Sequence, residues 1–286
     1  MNLVDFMTES ILILGSRGML GSDLSAVFSG LGLTAWDKEE LDVTNREAVI
    51  GAISRLKPQL VINATGYTDV DGAEQNRGAT FALNDEAVKN IVAVSAAVGA
   101  QLIHFSTEYV FDGQNQAGYN ESVASNPQNV YGQSKAAGEK HVLGYERGYL
   151  IRTSWLYGQA AQRGKPRGVN FIDTVLKLAS EKDEVRVVND QYGKLTYTKD
   201  LAQAVRQLVV GPYEPGVYHL VNEGVTSWYD VAGEVFKLRG IKIPLVPISS
   251  AEYPMPAKRP KYGVLLNNKF PAFRPWPQAL ADYLSP

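Results

Sequence analysis

The chain has 286 residues, of which 45% are hydrophobic and 20% charged, and a formal net charge of -2. That length allows one large domain or two unequal lobes, and the charge balance argues against nucleic acid or an anionic membrane as a bulk partner while leaving room for a local basic pocket. Cysteine is absent and the three histidines, His104, His141 and His219, show no ligand spacing, which excludes disulfides, thiolate nucleophiles and cysteine zinc sites and leaves no metal ligand to assign.

The opening stretch to Ser10 contains Asp5 and Glu9 and lacks the basic start of a signal peptide. No apolar run reaches the length of about 18 residues that spans a bilayer, so a cytoplasmic location is expected. Met7 is an alternative start, because regular patterning begins only after it.

Ile11-Leu12-Ile13-Leu14 is too short and too uniformly apolar for a helix and reads as a buried parallel strand. It runs into Gly15-Ser16-Arg17-Gly18-Met19-Leu20-Gly21 and then a helical stretch over Ser22 to Ser29. Glycines at this strand-to-helix turn let the backbone approach a pyrophosphate, and the helix start offers free N–H groups and a positive dipole end. The spacing Gly-x-x-Gly-x-x-Gly is one residue longer in its first gap than the dinucleotide fingerprint, but its place in a strand–helix unit points to nucleotide binding. Leu33-Thr34-Ala35-Trp36 is the next strand and ends at Asp37, about 20 residues past the glycines, where a carboxylate can hold adenosine ribose hydroxyls. Such an acid favours NAD, whereas Arg17 and Lys38 could neutralise a 2′-phosphate, so both cofactors stay open. Lys38-Glu39-Glu40 otherwise reads as a solvated turn. A helix over Asn45 to Leu56 follows, with Asp42 or Thr44 as its cap.

The third strand, Gln59 to Ala64, leads into Thr65-Gly66-Tyr67-Thr68, small enough for a cofactor to pass closely. A long helix over Thr80 to Val98 contains Asn84. The strand Gln101 to Ser106 then delivers Thr107, Glu108 and Tyr109 at its carboxyl end, and His104 alternates into the core rather than toward catalysis. In the helical pattern that begins at Asn129, Tyr131 and Lys135 stand one turn apart on one face. A lysine ammonium there is expected to draw the phenol's pKa from about 10 toward the working range, giving a general acid. Thr107, roughly 24 residues upstream at a strand end, can hold a carbonyl oxygen against that phenol.

Beyond Ser154 the pattern is richer in loops. Gly158 to Gly168, with Arg163, Lys165 and Arg167, reads as a mobile loop whose charges form a solvated face, or a lid over a diphosphate. Helices are expected from Phe171 to Ser180, Leu201 to Val210 and Trp228 to Leu238, and a strand over Val185 to Val188. Composition alone favours Trp155 and Trp228 as lobe core and Arg259 as surface charge.

Glycine loop, Thr107, Tyr131 and Lys135 in this order resemble the extended short-chain dehydrogenase/reductase superfamily. The likeness narrows to the dTDP-4-dehydrorhamnose reductase family through Ser106-Thr107-Glu108-Tyr109-Val110-Phe111-Asp112-Gly113, Arg152-Thr153-Ser154-Trp155, Val188-Asn189-Asp190-Gln191-Tyr192-Gly193 and Tyr253-Pro254-Met255-Pro256-Ala257-Lys258-Arg259-Pro260. The resemblance implies an α/β protein with a Rossmann-like doubly wound parallel sheet and a smaller mixed substrate lobe. It divides the chain into 8–154, with about 173–189 and 229–252, as the dinucleotide lobe, and about 155–172, 190–228 and 253–286 as the substrate lobe.

The implied reaction is hydride transfer from NADPH or NADH to C4 of a dTDP-linked 4-keto sugar, giving dTDP-L-rhamnose for surface polysaccharide. Tyr131 would be the acid, Lys135 its tuning cation and nicotinamide-ribose ligand, and Thr107 the holder of the carbonyl oxygen. Gly15, Gly18, Met19, Leu20, Gly21, Asp37, Asp42, Val43, Gly66, Tyr67 and Thr68 would contact the cofactor with Tyr131 and Lys135. Thr107, Glu108, Trp155 and Arg259 would contact the substrate, with an aromatic plane on thymine or sugar and the guanidinium forked onto diphosphate oxygens.

The family usually has aspartate where Glu108 stands, a shorter segment where Ala64-Thr65-Gly66-Tyr67-Thr68 stands, and proline in place of Leu195. Some members form dimers around a glutamate-held metal, for which no convincing set is found here, so a monomer or homodimer is expected. Alternatives are a reductase of another nucleotide-linked keto-sugar, or a non-catalytic regulator, since a methionine adenosyltransferase subunit resembles the same family.

Overall fold

The computed structural model describes residues 10–162 and 168–285. Met7, Arg163, Lys165 and Arg167, and the start and lid expected around them, lie outside the described residues.

Six parallel strands make the central sheet, in the order Gly216–His219, Gly148–Thr153, Gln101–Thr107, Leu60–Asn63, Ile11–Leu14, Leu33–Trp36. Alternation along each strand feeds two cores. Ile11 and Ile13 pack on one face with the helices Met19–Val27 and Thr198–Val210. Leu12 and Leu14 pack on the other with Arg46–Leu56, Ala87–Val98 and Val142 of the helix Val130–Leu143. Helices on both faces bury the inner strands Ile11–Leu14, Leu60–Asn63 and Gly148–Thr153 completely, as the apolar runs require, while the edge strand Leu33–Trp36 stays partly open. The connections leave Ile11–Leu14 and Leu60–Asn63 in opposite directions, which opens a crevice at their carboxyl ends where ligands of such sheets bind.

Two local expectations change. Asn45 is the helix cap, its side chain accepting from the Ala48 N–H, while Asp42 accepts from the Thr44 N–H and hydroxyl and closes the preceding turn. The long helix expected over Thr80 to Val98 is built from Arg77–Phe81, a π turn over Ala82–Glu86, and Ala87–Val98. The wide turn aims buried Asn84 inward, where its amide accepts from the Tyr67 N–H at 2.8 Å and donates to the Tyr67 carbonyl at 3.1 Å.

The lobe boundaries also differ from the expected division. Helix Thr198–Val210 and strand Gly216–His219 belong to the central sheet and its covering layer, not to 190–228 as a separate lobe. The segments expected there, 173–189 and 229–252, instead pair their own strands, Val185–Val188 with Leu245–Ile248. They build a core of their own from Val175, Val185, Val231, Val235 and Leu280, with the helices Phe171–Glu181, Trp228–Arg239 and Trp276–Leu284. Short apolar strands carry the same local pattern whichever sheet they join, so only tertiary pairing separates them.

Candidate active site

A cavity of about 370 Å³ opens at the carboxyl ends of the first and third strands. Gly15 turns there with φ +80°, and a Cβ on it would lie 3.0 Å from the Ala64 backbone across the crevice. Gly21 brings the first helix down on this turn so closely that a Cβ would stand 1.9 Å from the Gly15 carbonyl oxygen. The helix starts at Met19 on the N-cap Gly18, which makes no side-chain capping bond, and Gly18, Met19 and Leu20 line the cavity. Its first-turn N–H groups and dipole suit a diphosphate, so this wall fits a dinucleotide.

At the opposite wall Asp37 directly follows the second strand, its Oδ2 accepting from the Arg17 N–H at 2.9 Å. The Arg17 guanidinium is turned onto two carboxylates, Glu39 at 3.0 Å and Glu40. Sequence left Arg17 and Asp37 as rivals for the ribose position. The structure engages Arg17 with the two glutamates that read as a plain solvated turn. Asp37, Lys38, Asp42, Val43 and Thr44 all line this end of the cavity, and Gly66, Tyr67 and Thr68 line the wall between.

The helix Val130–Leu143 starts where the Asn129 side chain accepts from the Gly132 N–H at 2.7 Å, and it presents Tyr131 and Lys135 to the same cavity. Both are buried, 8% and 5% exposed. Every residue assigned by sequence to the cofactor therefore lines one space. Thr107 ends the central strand beside them, within hydrogen-bonding reach of Tyr131. Its hydroxyl donates to Glu108 Oε2 at 2.8 Å. Glu108 is itself buried, and its longer side chain is accommodated by Gly263, where a Cβ would lie 2.8 Å from Glu108 Cγ.

The electrostatics depart from the sequence expectation. Burial first and the Glu108 carboxylate second push the Tyr131 hydroxyl above its ordinary pKa, against the opposing Thr107 hydrogen bond. Lys135 is pushed down to about 8 by burial, with the Glu139 charge opposing. Its Nζ donates to the Phe105 carbonyl at 2.6 Å. Lysine solvation is thus replaced by a single carbonyl and a nearby ring, and the phenol keeps its proton. A phenol that holds its proton can act as an acid, the role a reduction needs.

Trp155 and Arg259 both have partners within the protein. Trp155 sits in the left-handed region at φ +44°, rare for a bulky residue, and stacks on Trp228 at 3.7 Å. A Cβ on Gly193 would come within 2.7 Å of its ring. One aromatic face therefore lies inside the second lobe, and Trp228, which composition favours as lobe core, is its partner. Arg259 directs both terminal nitrogens onto Asp71, Nη2 to Oδ2 at 2.6 Å, and Nη1 also donates to the Ala257 carbonyl at 2.7 Å. Burial opposes that charge and the Asp71 pair outweighs it, raising the arginine pKa. The expected fork onto a diphosphate is here a fork onto the first turn of the helix Val70–Gln75.

Residues 8–286 match the family model described as the RmlD substrate binding domain. The chain belongs to that family. It is 38% identical over 277 residues to the dTDP-4-dehydrorhamnose reductase of Escherichia coli strain K12, covering 91% of this chain and 90% of that one. It is 36% identical over 264 residues to the dTDP-4-keto-6-deoxy-D-glucose reductase of Streptomyces niveus, covering 91% and 89%. Among solved structures, the dTDP-4-dehydrorhamnose reductase of Bacillus anthracis in complex with NADP superposes with a TM-score of 0.90 at 34% identity, covering 97% and 99%.

Within this family member, several cavity residues were not singled out from sequence. Ser106 and Thr153 line the cavity from adjacent strands, Thr153 standing in register with Thr107, and Leu83, Phe105 and Leu156 add to the apolar lining. The Thr153 hydroxyl is buried with no hydrogen-bond partner among the described residues, which suits a ligand contact. Its position at a strand end, as for Thr107, is the signal that could have found it. Asn63 pairs with His104, and Asn84 with Tyr67 and Ser134, buried polar contacts that no spacing rule reveals. Among the described residues no group of three or more His, Cys, Asp or Glu is placed to hold a metal ion. No helix among them is long and apolar enough to cross a membrane.

Proposed function

We propose that this chain reduces the C4 keto group of dTDP-4-dehydro-L-rhamnose to give dTDP-L-rhamnose, with NADPH or NADH. The observation that carries the reading is that Tyr131 and Lys135 line the cavity whose other walls include the glycine turn and Asp37, with Thr107 within hydrogen-bonding reach of Tyr131. Gly15, Gly18 to Gly21 and Gly66 to Thr68 would hold a dinucleotide there, and Asp37 its ribose. A bound reduced nicotinamide supplies the hydride. Thr107 orients the sugar carbonyl oxygen and Tyr131 gives it a proton as negative charge develops. Lys135 steadies the phenolate that Tyr131 becomes and holds ribose hydroxyls. Burial of Tyr131 and Lys135 keeps water from competing for that proton.

The named relatives at 34–38% identity support the substrate class. We take residues 10–154 with 198–220 as the cofactor lobe, and the remainder as the substrate lobe, on the sheet pairing and the separate cores. A cytoplasmic monomer or homodimer acting on a soluble sugar nucleotide fits the same reading.

The test is loss of nicotinamide absorbance with dTDP-4-dehydro-L-rhamnose, comparing the wild type with Tyr131→Phe. The variant should lose roughly 10²–10⁴-fold in kcat while binding cofactor normally. Normal turnover in the variant removes Tyr131 as the acid. Turnover only of another dTDP-4-keto sugar keeps the chemistry and changes the substrate, and no turnover of any keto-sugar nucleotide favours a nucleotide-binding regulator.

A further inference from the structure

Lys135 is held from below by a buried polar chain that the reaction above does not use. Its Nζ lies 3.4 Å from His104 Nε2. His104 is fully buried, and its other ring nitrogen, Nδ1, lies 3.1 Å from Asn63 Nδ2. The Asn63 amide has one workable orientation, because its Oδ1 accepts the Thr65 backbone N–H at 3.1 Å and the Thr65 hydroxyl at 2.6 Å. Nδ2 therefore donates and His104 Nδ1 accepts, which leaves the single proton of a neutral imidazole on Nε2, facing Lys135. Burial, and after it the Lys135 charge, pushes the His104 pKa well below its usual value, outweighing the Asn63 backbone, which favours the imidazolium, and keeps the ring neutral. An N–H pointed at an amine favours the lone pair and opposes an ammonium.

We propose that His104 is a positioning residue for Lys135: its Nε2–H stabilises the unprotonated amine and fixes it against the Phe105 carbonyl, so that Lys135 gives up a proton readily. The proposal rests on the reduction described above. Each turnover leaves Tyr131 as phenolate, a proton passes from the Lys135 ammonium to that oxygen, and the amine takes a proton back from water. No electrons move in this step, and the site returns to its starting protonation.

The other titratable groups facing Lys135 do not duplicate this role. Glu139, on the same helix, favours the ammonium, but its carboxylate is spent on Arg152 at 2.8 and 2.7 Å and on the Ser106 hydroxyl at 2.6 Å. Tyr131, also on that helix, faces Thr107, and Glu108 lies beyond it. From the π turn the neutral Asn84 is engaged with Ser134 and Tyr67. On the strand that carries His104, the Phe105 carbonyl accepts from either form of the lysine.

The deciding measurement is a 13C NMR titration of the Lys135 side chain in cofactor-free protein, which does not depend on the substrate being right. Wild type should titrate near 8. His104→Gln keeps an N–H donor near the Nε2 position and should titrate close to wild type, whereas His104→Met fills the volume without a donor and should move the midpoint up by about half to one pH unit. The alkaline limb of the kcat profile should move with it. Equal midpoints in the Gln and Met variants overturn the proposal, as does a fall in kcat with no movement of the limb. If the Met variant does not fold, Asn63→Ala serves: it frees His104 to take the other tautomer and accept from the ammonium, and an unchanged Lys135 midpoint there overturns the proposal equally.

Discussion

The cofactor wall and the expected substrate wall of this chain were both assigned from short motifs, and their side chains are held in different ways. On the first, every assigned side chain or backbone group from Gly15 to Lys135 lines one cavity. On the second, the Trp155 ring is stacked on Trp228 and the Arg259 guanidinium is paired with Asp71. The difference lies in what fixes each residue. Gly15, Asp37, Gly66 and Thr107 stand at or just beyond carboxyl ends of parallel strands, where the sheet itself sets position. Trp155 and Arg259 lie on loops of the second lobe, where large aromatic or charged side chains find partners inside the protein. A motif names a residue type; the scaffold beneath it decides whether that residue is available to a ligand.

Three changes would break or sharpen this contrast. The largest effect is expected at the cofactor wall: in Gly21→Ala the new methyl meets the Gly15 carbonyl, which is backbone and cannot swing away. Stability should fall by about 1–3 kcal/mol, read as a lower Tm, and NADPH binding should be lost in titration calorimetry. Next comes Asp71→Asn, which removes the charge holding Arg259. Stability should fall by about 1–2 kcal/mol, and dTDP should bind roughly fivefold more tightly as the freed guanidinium turns to the diphosphate. Unchanged dTDP affinity would make Arg259 a purely internal strut.

The smallest effect is expected at the surface, in Glu39→Gln with Glu40→Gln. Opening that exposed clamp releases Arg17, and the ratio of NADP to NAD affinity should rise roughly two- to fivefold. No change in the ratio would show that Asp37 alone sets the preference.

The sequence by itself determined the parallel sheet, the nucleotide cradle and the pairing of Tyr131 with Lys135, because strand runs, glycine turns and one-turn helical spacing are local and periodic. The same locality fixed the helix starts at Asn129 and Asn170, whose side chains accept from N–H groups three residues on. Only the tertiary structure decided that Gly216–His219 joins the main sheet while Val185–Val188 does not, since short apolar strands look alike until they are paired. It also decided the direction of the pKa shifts. Tyr131 was expected to be acidified by its neighbour, yet burial and Glu108 hold its proton more firmly, and the desolvation of Lys135 among Phe105, His104 and Glu139 brings together groups that no spacing in the chain connects. Local order is written in periodicity. The energy of a buried charge depends on everything packed around it, and that is known only once the chain has folded.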